Sequence, residues 1–305
     1  MEKESRGLLF LLLAEFFWGI SSTFAKFIYG ATSKIDPFVL IQLRLTLAAT
    51  ILVIIFYFKD RELLRINKSD LPYLIKYGCC VAFMQVTLYY AISKTNVGIA
   101  VFLQSFSAVL VSLYCIVIGR EKVGTFRLLA LGVGFLGLFV MLYNQFFVLP
   151  SVNMWGVIGG LASAVGVSAY LIYGKYGLSK YKPQTMLVYA YIFGALLSWF
   201  FVPPWVVVNK GFTIAEWGYC FFIAIFAAVI PYYFNLKGLE LSTTSTAGIV
   251  TILNPVIAAI TAFLILGEIL TSMQIMGVIL ITLSIVFLQM EVQQDIKKEL
   301  LLKKI

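Results

Sequence analysis

The run GLLFLLLAEFFWGISSTFAKFIY, residues 7–29, decides the fold class. A bilayer core about 30 Å thick needs about 20 consecutive apolar residues per helix, and this run supplies them. It has no A-x-A-like end, so it is expected to persist as a span rather than be cleaved as a signal peptide. One carboxylate, Glu15, sits in its middle. An acid at that depth costs roughly 2.5–3.5 kcal/mol on insertion scales. Residues kept at that expense face a polar cavity and serve a function, so the run is expected to belong to a membrane protein that handles a solute.

The whole chain reads the same way. Hydrophobic residues make up 61% of its 305 positions and charged residues 12%, against about 25% charged in a soluble domain. Mean hydropathy is +0.97. Such a chain cannot cover a globule with polar surface, so lipid is its solvent. Periodicity and turn residues divide it into ten spans: 7–29, 37–58, 71–92, 97–119, 125–143, 153–174, 183–204, 214–236, 245–266 and 271–290. With a cytoplasmic N-terminus, eighteen Lys and Arg fall on the inside and three outside, with Lys26 and Arg44 inside spans. The positive-inside rule then predicts cytoplasmic termini and a multi-pass protein of the plasma membrane. The net charge of +9 follows from that topology, so no nucleic-acid partner is expected. The tail, residues 291–305, reads as a charged, solvated cytoplasmic helix beside anionic lipid.

Several chemistries are excluded. The chain has no histidine, and Cys79, Cys80, Cys115 and Cys220 lie in apolar runs without metal-ligand spacing. Neither a metal nor a cofactor is expected. There is no Walker-type phosphate loop and no nucleophile–base pattern, so the reading is not an enzyme; an intramembrane transferase is the remote alternative.

The chain repeats itself. Pro37 and Pro183 open spans two and seven, 146 residues apart; Glu121 and Glu268 close spans four and nine, 147 apart. The expected architecture is all-α: ten transmembrane helices in two five-helix repeats, 1–145 and 150–290, ahead of the tail. Five is odd, so the second copy enters the membrane from the opposite side. In inverted repeats of this kind the substrate site lies near the midplane, and rocking of the halves gives alternating access.

The stretch Ile230-Pro231-Tyr232-Tyr233 to Leu239, with Ala247-Gly248, Leu253-Asn254-Pro255-Val256, Leu266-Gly267-Glu268, Gln274 and Gly277, resembles the EamA-type repeat of the drug/metabolite transporter superfamily. The segment from Trp18-Gly19 to about Leu142 is similar to the same repeat. The resemblance implies a ten-helix transporter with a central cavity lined by spans one, three, four, six, eight and nine. It also implies that Arg44 matches an arginine of the family's second helix, and that Glu121 and Glu268, in the family's Gly-Glu element, hold the repeats together. More narrowly, Leu13-Ala14-Glu15 with Lys26 is similar to the first helix of small multidrug resistance transporters. There, one membrane glutamate binds protons or a cationic substrate.

Glu15, Trp18, Ser22 and Lys26 share one helical face, and that face is expected to meet the cavity. Glu15 is the candidate for substrate binding and for coupling, because a carboxyl neutral in one conformation and charged in another links protons to alternating access. The alternative for Glu15 is a buried structural hydrogen bond; for Lys26 it is an interfacial anchor. Arg44 lies at a different depth, which disfavours a direct pair with Glu15 and leaves it to the scaffold or to an anionic group. Trp18, Tyr89, Tyr90, Tyr114, Tyr170, Tyr232 and Tyr233 are candidate cavity aromatics. Gln85, Gln104 and Asn254 line the cavity or bond between helices, and Pro255 breaks span nine, freeing a carbonyl. The glycines of 132–137 and 156–160 are read as packing.

The expected function is secondary transport of a small organic solute, an amino acid or related metabolite, with export favoured. Protons or exchange are the candidate coupling modes. The second reading is a carrier of organic cations or drugs that uses Glu15 and an aromatic cavity. A single chain can enclose such a cavity, so a monomer is expected.

Overall fold

The structure, a computed structural model, describes residues 2–95, 97–118, 124–143, 153–266 and 270–302. Glu121 and Glu268, and the side chains of Ser22 and Lys26, lie outside the described residues.

The helices are α1 (Glu2–Ala31), α2 (Pro37–Lys59), α3 (Leu71–Lys94), α4 (Val97–Ser105 and Ser107–Ile118), α5 (Thr125–Met141), α6 (Met154–Gly177) and α7 (Pro183–Phe201). They continue with α8 (Ile214–Ile223, a π-helical run Ala224–Val229, and Ile230–Leu241) and α9 (Thr244–Val250, a 3-10 turn Thr251–Leu253, and Asn254–Leu266). The last is α10 (Ser272–Leu302). Nine of these stretches are long and apolar enough to cross a membrane, and α5 adds a shorter apolar helix of 17 residues. The protein is an all-α, polytopic membrane protein.

Local chemistry sets the helix starts. The Asp36 carboxylate accepts from the backbone N–H groups of Phe38 and Val39, with Pro37 in the first turn. Asn153 caps α6, and Thr213 with Glu216 forms a capping box on α8. The outer surface carries Phe58, Val117 and Phe200, each more than 80% exposed. Large apolar side chains exposed in such number have lipid as their solvent.

Close helix contact rests on glycine. α5 packs on α10, α3 on α6, α1 on α8 and α9, α4 on α6 and α9, α2 on α7 and α8, and α3 on α7. A Cβ on Gly277 would stand 2.4 Å from the Met141 Cβ and 2.6 Å from the Gly137 carbonyl oxygen. One on Gly166 would stand 2.7 Å from the Met84 Cβ, and one on Gly160 2.6 Å from the Leu103 Cβ. Gly132 is different: a Cβ there would meet nothing within 4 Å, so that glycine, expected to pack, does not. Overpacking costs about 1–3 kcal/mol. Gly277→Ala is therefore expected to lower the thermal midpoint of the purified protein, while Gly132→Ala leaves it unchanged or raises it.

Spans four and nine break at equivalent places. The turn Ser105–Ser107 and the 3-10 turn Thr251–Leu253 lie 146 residues apart, the interval of the two prolines. The register recurs in two ion pairs at opposite ends of the bundle. Lys34 Nζ lies 3.6 Å from Glu216 Oε2, joining the α1–α2 link to the start of α8. Lys180 Nζ lies 3.0 Å from Asp70 Oδ1, joining the α6–α7 link to the start of α3. Lys34 and Lys180 are 146 residues apart, as are Asp70 and Glu216.

The tail departs from expectation. α10 runs unbroken from Ser272 to Leu302, and Glu291 is buried rather than solvated. Its Oε2 accepts from the Phe126 N–H at 3.1 Å. The start of α5 would otherwise hold unpaired amide groups, and Glu291 supplies an acceptor.

Candidate functional site

A proline builds one wall of the cavity. Pro231 has no N–H, so it serves neither Ala227, its acceptor in an α-helix, nor Phe226, its acceptor in a π-helix. Ile230 N–H bonds the Ile225 carbonyl five residues back, which fixes the π-helical turn. Side chains of other helices reach both carbonyls left by Pro231, although the Ser21 hydroxyl also bonds the Phe17 carbonyl of its own helix at 2.6 Å. Ser21 Oγ lies 3.1 Å from the Phe226 oxygen. The Ala227 oxygen accepts Trp18 Nε1 at 3.1 Å and the Arg44 guanidinium in a short bond.

This anchors Arg44 at the cavity. Its other terminal nitrogen donates to the Tyr89 hydroxyl at 3.3 Å, and its guanidinium carbon lies 5.9 Å from the centre of the Tyr232 ring. Tyr232 meets Trp18, Tyr170 and Tyr191 edge-to-face, with ring centres 4.9, 5.6 and 5.5 Å away. Tyr170 is fixed in turn by donating to Asn235 Oδ1 at 3.0 Å. These rings favour a cation near their faces and hold the guanidinium in place.

Glu15 is buried on the same cavity, and Asn254 Nδ2 donates to its Oε2 at 3.2 Å. The Pro255 break was expected to free a carbonyl, but Thr251 O accepts the Asn254 N–H. What the break delivers is the Asn254 side chain. Glu15 and Arg44 share the cavity, and among the described residues no ion pair joins them. A buried carboxyl and a buried guanidinium thus line one cavity without pairing with each other.

The cavity holds about 120 Å³. Glu15, Trp18, Arg44, Gln85, Tyr89, Gln104, Tyr170, Tyr232 and Asn254, all singled out from sequence, line it. The side chain of Ser22 lies outside the described residues, and its neighbour Ser21 lines the cavity. Tyr114 and Tyr233 pack on the apolar core instead, and Tyr90 lies against Gly159. The two glutamines differ. Gln104 Nε2 donates to Ser163 Oγ at 2.7 Å, which donates to the Met84 carbonyl. Both polar atoms of Gln85 are buried without a hydrogen-bond partner. Sequence reasoning missed Ser105, Ser107 and Thr251, which reach the cavity through the two broken turns. Irregular backbone inside a membrane is tolerated where it lines a cavity, and of the two breaks only the one at Asn254-Pro255 is marked in the sequence. It also missed the Ala227 carbonyl, announced only by a proline four residues on.

The model of the EamA-like transporter family matches this chain twice, over residues 5–143 and 154–290. The chain belongs to the EamA-like transporter family. Among its relatives is an uncharacterized transporter of Archaeoglobus fulgidus, 25% identical over 90% of this chain and 95% of the relative. The threonine/homoserine exporter RhtA of Salmonella typhimurium is 25% identical over 76% of each chain. A solved crystal structure covers 94% of this chain and 98% of its own at a TM-score of 0.75 and 15% identity, a likeness of fold. The protein is a transporter rather than an enzyme.

Proposed function

We propose that this EamA-like protein is a secondary transporter of small zwitterionic metabolites, amino acids first among them, working by alternating access in the plasma membrane with both termini cytoplasmic. One observation carries the reading: a buried carboxylate and a buried guanidinium line one small cavity without pairing. An α-amino acid brings an ammonium for Glu15 and a carboxylate for Arg44, and so neutralises both. RhtA, which exports threonine and homoserine by name, supports amino acids and the direction of export.

Support for alternating access comes from the repeat. Every helix contact described above maps onto another, or onto itself, when span n is exchanged with span n + 5. The broken turns and the two end clasps obey the same register. Two halves related in this way offer two equivalent packings around a fixed site. Glu15 is the group that would bind a coupling proton when no substrate is present; exchange of one zwitterion for another is the other mode.

The cation-carrier reading keeps one observation in its favour, the rings of Trp18, Tyr170 and Tyr232 beside Glu15. Arg44 opposes it, because a lone cation would meet an unneutralised guanidinium. Counterflow in proteoliposomes decides between them. A labelled α-amino acid is expected to be displaced by other amino acids, and at least about tenfold less well by the matching amine or the matching acid, since one charged hydrogen bond is worth about 1.5–3 kcal/mol. Displacement by the amine alone, as strong as by the amino acid, would sink the zwitterion reading and leave the cation carrier.

A further inference from the structure

Gln85 and Ser107 carry buried side-chain polar atoms on the cavity wall that no hydrogen bond uses. Gln85 is 4% exposed and Ser107 fully buried. Neither carboxamide atom of Gln85, nor the Ser107 hydroxyl, has a hydrogen-bond partner. Both residues line the cavity, Gln85 from α3 and Ser107 from the broken turn of α4. The neighbouring polar groups are differently placed: Gln104 is spent on Ser163, Tyr170 on Asn235, and Asn254 on Glu15. A buried polar group left without a partner costs about 1–3 kcal/mol, and on this cavity wall the Gln85 carboxamide and the Ser107 hydroxyl are both left so. A site in that condition is complementary to a group that both donates and accepts.

We infer that Gln85 and Ser107 form a specificity subsite for a neutral, hydrogen-bonding side chain, so that the solute is a small hydroxylated amino acid rather than an apolar one. This rests on the zwitterion reading, in which Glu15 and Arg44 take the two charged ends and leave the side chain to face the rest of the wall. The subsite carries no charge of its own, which selects against acidic and basic side chains. An apolar side chain of the same shape would fill the space and leave Gln85 and Ser107 unsatisfied. A site built to hydrogen-bond a hydroxyl discriminates against the analogue lacking it on that ground.

The test is calorimetric binding of L-threonine and L-valine, which are nearly isosteric, to the purified full-length protein. It is run on wild type, Gln85→Leu and Ser107→Ala. Wild type is expected to bind threonine at least about tenfold tighter than valine. Each variant is expected to bring the ratio towards one by weakening threonine while valine is held as before. Two variants on different helices guard against one of them failing to fold. Equal binding of the two ligands by wild type overturns the subsite and leaves the zwitterion reading standing. A threonine preference that survives in both folded variants does the same, and would mean that water satisfies these groups. Binding of the decarboxylated amines with neither amino acid bound overturns the zwitterion reading, and the subsite with it.

Discussion

Glu15→Gln is expected to weaken binding of a zwitterionic substrate about 30-fold or more, since removing one member of a buried, hydrogen-bonded charge interaction costs about 2–5 kcal/mol. The amide has the shape of the carboxyl, and Asn254 Nδ2 can still donate to its oxygen as it does to Glu15 Oε2. The fold should therefore survive, and the thermal midpoint without substrate should stay close to that of wild type. What is lost is the charge that meets the ammonium. Flux at low substrate falls, and a saturating concentration recovers part of it. The measurement is uptake into proteoliposomes across a range of substrate concentrations, with and without a pH gradient. If the variant moves substrate as well as wild type under both conditions, Glu15 only holds Asn254. If exchange persists and the pH gradient no longer drives flux, Glu15 is the coupling carboxyl and the ammonium is held elsewhere.

Pro231→Ala should separate stability from function in the opposite sense to most substitutions. Alanine restores the N–H that proline lacks and adds a donor for Ala227 or Phe226 within α8. The helix becomes more regular, so the thermal midpoint is expected to hold or rise. The restored bond competes with Arg44 and Trp18 for the Ala227 oxygen, or with Ser21 for that of Phe226. A hydrogen bond to a charged group is worth about 1.5–3 kcal/mol, so release of Arg44 should lower transport by about tenfold or more. Thermal unfolding and proteoliposome uptake on one preparation check both halves. Unchanged uptake would mean that the guanidinium holds its place through Tyr89 and Tyr232 alone.

The spans were legible because lipid leaves the chain little choice. A helix must be long, apolar and internally hydrogen-bonded, and the boundaries at Pro37 and Pro183 agree with the observed helix starts. The breaks were half legible. Asn254-Pro255 marks the one in α9, but α4 turns at Phe106 with no proline at all. Glu15 could be placed on a cavity from sequence because a buried acid has few other tolerable surroundings. Gln85 and Gln104 could not be told apart, since what distinguishes them is Ser163 on α6, which meets one and not the other. Glu291 looked like the start of a solvated tail. Its neighbour is the first turn of α5, 165 residues earlier in the chain, and no local pattern records that meeting.

The acceptor shared by Arg44 and Trp18 belongs to the backbone of Ala227 and not to a side chain. A substitution scan would score position 227 only for the bulk it tolerates, because every residue offers the same carbonyl. Position 231, which is not among the residues that line this cavity, would score as a determinant of transport. A map of the cavity drawn from such a scan would therefore be displaced by about one helical turn along α8, and chains that differ at 227 could still hold their arginine in the same way.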